Sequence, residues 1–331
     1  MENRTNKTKP IVEAGIITGI VVVLSLIDGY LNVLSFIGIF ITPIPIAILY
    51  LRHNIRITLM SILCSTILVA ILFNPISSVS LAIIYGLTGI ALGYCIKKKL
   101  KMSQVLLIMT VVSIITIVLN ISIYILLISK TSFATYINSF LSQYQNSLDE
   151  AAKISEASGQ PKDAVESLKK IFTGHFITVL MMPMLILNCF FTGYLNYLIT
   201  EKILKKLKYK IESINDIKKF YINNRMVACM IIIGAIGFIL KMENIAIGEY
   251  IYYTALIVGL TALTIDGAAL LIYVLRTRFK LNKWIIILII ALTLTITNGN
   301  IVVVYIFVGI QDMIIDFRKL DPNRLFKNFN K

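Results

Sequence analysis

The sequence predicts an all-α, polytopic integral membrane protein with about ten transmembrane helices in two bundles and both termini in the cytoplasm. Three observations carry that prediction. About ten apolar stretches of bilayer-spanning length follow one another along the 331 residues. Hydrophobic residues make up 57% of the chain and charged ones only 15%, with a mean hydropathy of +0.84, more apolar surface than one soluble core can hide. Finally, 26 of the 32 Lys and Arg residues fall in every second gap: Arg4, Lys7 and Lys9; Arg52 and Arg56; Lys97, Lys98, Lys99 and Lys101; the Lys202 to Arg225 segment; Arg276 to Lys283; and the tail from Arg318. Short basic loops stay in the cytoplasm, so cytoplasmic termini and an even number of spans follow. Lys130, Lys153, Lys162, Lys169, Lys170 and Lys241 remain for the outer side.

The net charge of +15 would suggest nucleic acid in a soluble chain. Here it sits at helix ends, where it meets anionic lipid headgroups, so membrane lipids are the expected partners and nucleic acid is not. Cys64, Cys95, Cys189 and Cys229 lie within apolar stretches without a CxxC pair, and read as small core residues rather than disulfide partners or metal ligands.

The first span, Ile11 to about Ile27, has too long an apolar run for a secretory signal and no small-x-small site before Asp28. Spans two to five cover about Val33–Leu51, Ile55–Phe73, Ser77–Ile96 and Val105–Ser129. The second contains Thr42-Pro43-Ile44-Pro45, whose prolines break or bend the helix and free carbonyls that only protein or a cavity can satisfy. Asn74-Pro75 caps the outer end of the third. Between the fifth and sixth spans, residues 130–170 form an outer helical hairpin: Ile137, Phe140, Leu141, Tyr144 and Leu148 recur at helical spacing, Ser158-Gly159-Gln160-Pro161 breaks the run, and a second helix begins near Lys162. Its greasy stripe is either a spacer resting on protein or headgroups, or a lid.

The sixth span covers about Ile171–Ile199. Residues 201–221 then place Ile203, Leu207, Ile211, Ile214 and Ile217 opposite seven lysines, as a basic amphipathic linker helix at the cytoplasmic interface does. This linker divides a six-helix bundle, residues 1–200, from a four-helix bundle, residues 222–317, and a basic tail, residues 318–331, closes the chain. The last four spans are about Met226–Leu240, Tyr250–Leu275, Trp284–Thr297 and Ile301–Phe317. Asn298-Gly299-Asn300 makes a tight turn between the final two.

Catalytic chemistry is not in view. His53 and His175 lie on opposite sides of the expected bilayer, no hydrolase, phosphate-loop or dinucleotide motif is present, and nothing calls for a metal or cofactor. Two intramembrane acids stand out, Asp266 on the eighth span and Asp312 on the tenth. An Asp at a helix centre costs about 2.5–3.5 kcal/mol to insert, and such groups usually face a bundle interior. Asp312 and Asp316 are placed to pair with Arg276, Arg278 or Arg318. For Asp266 an ion or proton role and a buried hydrogen bond both stand open.

A candidate ligand site lies in the first bundle. Asn188, Thr192 and Asn196 recur at i, i+4 and i+8 on one helical face, Asn120 on the fifth span lies at similar depth, and Asp28, Tyr30 and Asn32 sit where spans one and two meet. Together they line an outward pocket, or else bridge helices. Gly15 and Gly19 on the first span, and Gly89 and Gly93 on the fourth, are small-xxx-small pairs that permit close helix approach.

The run Glu13-Ala-Gly-Ile-Ile-Thr-Gly19, the Pro-x-Pro second helix, Asn74-Pro75 and the glycine-patterned fourth helix resemble the YybS-like family of bacterial membrane proteins over most of the chain. More remotely, residues 1–200 resemble the six-helix substrate-binding S components of energy-coupling factor transporters. That resemblance implies a bound small molecule, and a coupling membrane subunit and ATPases as partners, met through the first helix at Gly15 and Gly19. The expected function is thus small-molecule uptake at the cytoplasmic membrane of a bacterium. The alternative is a membrane scaffold or regulator that binds partner proteins.

Reporter fusions test the charge asymmetry directly. Tags at both termini and near Lys208 should report cytoplasmic, and one near Gly159 outside; opposite sides for the two termini would require an odd number of spans.

Overall fold

A computed structural model describes residues 2–31, 35–100, 102–157, 173–209, 224–296 and 300–320. Asn32, the 158–161 break, the outer helix expected from Lys162, most of the linker (210–221), the turn at 298–299 and the tail beyond 320 lie outside the described residues. The described residues are helical, without strands. Helices α1 (Glu2–Tyr30), α2 (Ser35–Ile41), α3 (Pro43–Arg52), α4 (Ile55–Leu72), α5 (Pro75–Lys97) and α6 (Met102–Ile123) are followed by α7 (Phe133–Ala157), α8 (Gly174–Lys206), α9 (Asn224–Met242), α10 (Ala246–Thr277), α11 (Lys283–Ile296) and α12 (Ile301–Ile315). Among the described residues, seven stretches are long and apolar enough to cross a bilayer: Thr8–Tyr30, α4, α5, Gln104–Ser129, α8, α9 and α10. The expected second, ninth and tenth spans are the shorter apolar helices Phe36–Arg52, Lys283–Thr293 and Ile301–Ile315.

The chain divides into two units. One holds residues 1–173 and 185–214, the other residues 174–184 and 215–331. Glu201–Lys206, where the linker helix was expected to begin, continue α8 and end in a turn with Lys208 at φ 64°.

In the first unit, local chemistry sets each boundary. Thr42 separates α2 from α3, and Pro43 and Pro45 cannot donate to the carbonyls of Ile39 and Ile41, so the expected break in the second span is real. The Asn54 side chain caps α4 by accepting from Ile57 N at 3.1 Å. Asn74 accepts from Ile76 N and Ser77 N at 2.9 and 3.2 Å with Pro75 in the first turn, so it caps the start of α5 rather than the end of the span before it. An N-terminus has free N–H groups for a carboxamide oxygen to accept from; a C-terminus has only carbonyls. A π turn, Tyr124–Ser129, extends α6 and ends at Lys130 with φ 49°. The Tyr136 ring on α7 then meets Tyr124 edge-on at 5.6 Å. Along α7, Ile137, Leu141, Tyr144 and Leu148 are half-buried as the spacing predicted, whereas Phe140 is exposed.

Close helix approach comes from α5, where Gly89 and Gly93 face α3. A Cβ at Gly89 would lie 2.7 Å from Ile46 and the Pro43 carbonyl, and one at Gly93 would lie 2.8 Å from Tyr50. Around this contact Ala47, Ala91, Leu92, Cys95, Val105, Met109 and Tyr197 form the main apolar core, drawn from α3, α5, α6 and α8. Gly15 and Gly19 differ: both are exposed, with nothing within 4 Å of either position. Cys95 and Cys189 are buried as expected of small core residues, but Cys64 and Cys229 lie on exposed faces. An apolar side chain facing lipid loses nothing by staying outside the core.

The second unit is built on two glycine crossings. Gly237 and Gly248 bring α9 and α10 into backbone contact, and Gly267 on α10 meets Gly309 on α12 so closely that a Cβ on either would collide with a carbonyl of the other helix, Tyr305 or Leu263. The Tyr305 hydroxyl and Thr293 Oγ1, 3.0 Å apart, tie α12 to α11.

Gly89→Ala should therefore lower thermal stability in detergent by roughly 1–3 kcal/mol, whereas Gly15→Ala should stay within roughly 0.5 kcal/mol of the parent. Equal effects at the two positions would contradict the packing described.

Candidate functional site

The Asn188 face is interior at one end only. Asn188 is exposed, Thr192 half-buried and Asn196 1% exposed, with an Oδ1 atom that nothing reaches. A four-residue step advances a helix by about 400°, so each step turns the stripe about 40° and two steps carry it away from the bundle. Asn120 on α6 is half-buried and donates from Nδ2 to the Thr116 carbonyl of its own helix at 2.9 Å. Among the described residues no hydrogen bond joins it to Asn188, Thr192 or Asn196.

The structure concentrates polar groups elsewhere, among α1, α3, α4 and α5. Asp28 is 8% exposed and Tyr85 only 2%. The Tyr85 hydroxyl donates to Asp28 Oδ2 in a short hydrogen bond, and Asp28 Oδ1 has no partner. Gly38 on α2 makes room for this carboxylate, since a Cβ there would lie 2.6 Å from Oδ1. One turn on, at the helix break, Thr42 is fully buried beside the Tyr85 phenol, and its Oγ1 has no hydrogen-bond partner. A cleft that Tyr85 also lines is bordered by Ser25, Ser65, Thr66, Ser78 and Gly86 among others, though by neither Asp28 nor Thr42, and has room for about one water molecule. Helix α1 is held against α4 around it: Thr18 and Ser61 share a buried hydrogen bond of 2.7 Å, and the Tyr30 hydroxyl donates to the Leu72 carbonyl at 2.9 Å.

Hydrogen-bond direction gives the cluster its chemistry. Ser65 and Thr66 donate to the Ile62 carbonyl at 2.8 and 2.7 Å, and Ser78 to the Pro75 carbonyl at 2.7 Å. Each hydroxyl has one proton and it is already committed, so only lone pairs remain to face the cleft. With the Asp28 carboxylate the cluster is rich in acceptors, while the Thr42 hydroxyl can still donate, and no cationic side chain enters the bonds described.

In the second unit the acids are paired. Arg318 donates from Nη2 to Asp266 Oδ1 at 2.6 Å, and from Nε and Nη2 to Asp312 Oδ2 at 2.8 and 2.5 Å. Its side chain is 0% exposed, and those of Asp266 and Asp312 are 1% and 3% exposed, so all three charges are out of solvent. Asp316 in the left-handed region (φ 52°) stops α12 and turns the chain back. The Asp312 carboxylate then accepts from Phe317 N at 3.1 Å, and that of Asp316 from Leu320 N at 2.8 Å. The Gly267–Gly309 crossing brings Asp266 to the level of Asp312, and one planar guanidinium serves both. Spacing alone left three arginines as candidate partners and gave no sign that Asp266 shares the chosen one.

Each histidine sits on a glutamate. His53 Nε2 lies 2.9 Å from Glu13, which Arg52 also approaches, and His175 Nε2 lies 2.9 Å from Glu249, which accepts from Lys241 at 3.1 Å. No group of three or more potential metal ligands occurs among the described residues.

A helical chain with seven bilayer-length stretches and charges sequestered between its helices is a multi-pass integral membrane protein. It belongs to the family described as predicted membrane protein (DUF2232), which matches residues 19–313, in agreement with the YybS-like resemblance. It is 22% identical over 251 residues to "Uncharacterized protein YybS" of Bacillus subtilis (strain 168), covering 76% of this chain and 78% of that protein. No solved structure matches.

Removing the guanidinium leaves two buried carboxylates facing one another. Arg318→Met should cost about 3–5 kcal/mol, and Asp266→Asn with Asp312→Asn in the same chain should restore most of it. Thermal unfolding in detergent checks this; an Arg318→Met variant as stable as the parent would mean the triad is not formed.

Proposed function

We propose that the protein takes up a small solute at the cytoplasmic membrane of a bacterium, with its first unit acting as an S-component-like binding subunit. Ten spans, cytoplasmic termini and division into a six-helix and a four-helix bundle belong to the same proposal. The observation that carries it is the acceptor cluster around Asp28, Thr42 and Tyr85: a bundle serving only as a scaffold has no need to bury an unmatched carboxylate oxygen. Asp28 is its principal ligand residue. Asn196 contributes from the interior part of its stripe, while Asn188, Thr192 and Asn120, the last bonded to its own helix, enter the site only in another conformation. Asp266, with its charge held by Arg318, acts as an internal counter-ion, which the pairing favours over an ion or proton carrier.

The open face of α1 bears on the partners. Gly15 and Gly19 lie exposed beside Ile16 and Ile20, with no contact at an added Cβ from the described residues, which favours docking of another membrane helix, either a coupling subunit served by ATPases or, on the scaffold reading, a regulated partner.

Purification in mild detergent, followed by mass spectrometry of retained small molecules and co-purifying proteins, tests both parts. A retained solute should be present in the parent and lost in Asp28→Asn, which removes the charge of the principal ligand residue. Gly15→Leu with Gly19→Leu should lose co-purifying membrane protein while keeping the solute. Partner proteins without a retained molecule would favour the scaffold.

A further inference from the structure

We propose that Asp28 is a proton-carrying site, holding a proton in the arrangement seen and linked through Tyr85 to Thr42. This goes beyond the solute site proposed above, and only the coupling of the proton to a solute rests on that reading. A carboxylate between membrane helices carries a large desolvation penalty unless a cation stands against it. In the second unit Arg318 is that cation for Asp266 and Asp312. Asp28 is also buried, yet in the bonds described it meets a single phenol. Tyr85 from α5 is the titratable group that faces it. Helix α2 presents Gly38, the α2–α3 junction brings Thr42 to the phenol, and α4 presents Phe73 to Gly29 and the Leu72 carbonyl to the Tyr30 hydroxyl. The charged residues Glu13, Arg52 and His53 engage one another about four turns along α1, and Lys97 lies on the carbonyls of Tyr50 and His53.

The space around the carboxyl selects a proton over any larger cation. A Cβ at Gly38 would lie 2.6 Å from Oδ1, so the backbone of α2 closes over that oxygen, and the cleft that Tyr85 lines stops short of Asp28. An ammonium group or a bare metal ion needs a cavity there, whereas a proton needs only a lone pair. The proton comes from water, forms an O–H bond on Oδ2, and returns to water when that bond breaks, the electron pair staying on the carboxylate. Hydroxyls turn to suit their partners. Tyr85, which donates to Oδ2 when the group is ionised, accepts from the neutral acid and turns its own O–H toward Thr42 Oγ1, a buried oxygen otherwise without a partner. Oδ1 is then the carbonyl oxygen of a neutral acid, and leaving it unmatched carries a far smaller penalty than leaving half of a carboxylate unmatched. A solute that takes the carboxylate must displace this proton, so its binding weakens as pH falls.

Infrared difference spectroscopy on the full-length chain in lipid nanodiscs, washed free of solute, provides the test. At neutral pH the parent should show the carbonyl stretch of a protonated carboxyl, and the band should disappear as the buffer is made alkaline while carboxylate bands grow in. Asp28→Asn should lose this band, and Asp312→Asn, which leaves Arg318 its bond to Asp266, should keep it. Tyr85→Phe and Thr42→Val retain the acid and should shift the frequency of the band, because each removes a link of the chain. These two variants carry the decision should Asp28→Asn fail to fold. A parent spectrum that matches Asp28→Asn in this region overturns the proposal, as does a band that both Tyr85→Phe and Thr42→Val leave unmoved. Less solute should be retained when purification is carried out at acid pH, and equal retention at acid and neutral pH overturns the coupling. A retained solute without the Asp28 band overturns the proton site and leaves uptake standing; the band without a retained solute does the reverse.

Discussion

A polar group between membrane helices has only its neighbours to satisfy it, because hydrocarbon offers neither donors nor acceptors, and each feature of this chain that departs from plain apolar helix can be traced to that constraint. Threonine and serine hydroxyls turn back onto the carbonyl four or three residues earlier, as Thr110 does on Leu106 and Ser65 on Ile62. Asn120 does the same with its amide, which is why it does not reach across to Asn188. Side chains satisfied within their own helix are free to face lipid. Those that are not satisfied locally must find a second helix, and glycine sets how near that helix can come.

The two units answer the constraint in different ways. In the second, Gly267 and Gly309 let α10 and α12 touch, and the level at which they touch decides that Asp266 and Asp312 share one arginine. Each oxygen that Arg318 reaches is matched by a fixed, planar donor, so the triad binds the end of α12 to α10. In the first unit Gly38 opens space for Asp28 while the proline break places Thr42 beside Tyr85. A phenol is the donor there, and it can serve one carboxylate oxygen only. The difference between the two clusters thus comes down to donor count: several N–H groups on Arg318 against a single O–H on Tyr85.

The helical membrane architecture was legible in sequence, because apolar length is a long-range average that tertiary packing barely alters. The break at Thr42-Pro43 followed from proline chemistry, and the amphipathic α7 from spacing. What sequence could not rank was which small-residue pair packs. Gly15/Gly19 and Gly89/Gly93 have the same form, yet among the described residues only the second meets another helix. The pattern states that an approach is permitted; which face turns inward depends on the neighbours. The Asn188 stripe failed to stay interior for a related reason, the rotation that accumulates over two four-residue steps. Asp28 was legible as a candidate beside Tyr30 and Asn32, but Tyr85, its actual partner, lies 57 residues away on another helix and reads in sequence as one more apolar-run aromatic.

Arg318 shows where the charge rule itself misleads. Counted among basic residues, it helps to place the tail in the cytoplasm, yet its side chain is withdrawn from solvent and neutralised by two acids. A cation so compensated contributes little to interaction with anionic headgroups, which fall off within a Debye length of the surface. The family match ends at residue 313, five residues short of it, although Asp266 and Asp312 lie inside. The triad therefore joins two acids within the matched region to a cation beyond it, and the turn at Asp316 is what makes that join possible. By stopping α12 in the left-handed region, Asp316 reverses the chain over Asp312 and sets the guanidinium between carboxylates that would otherwise repel across the Gly267–Gly309 contact. Close backbone approach and charge compensation are in this sense one device, since neither holds on this scale without the other.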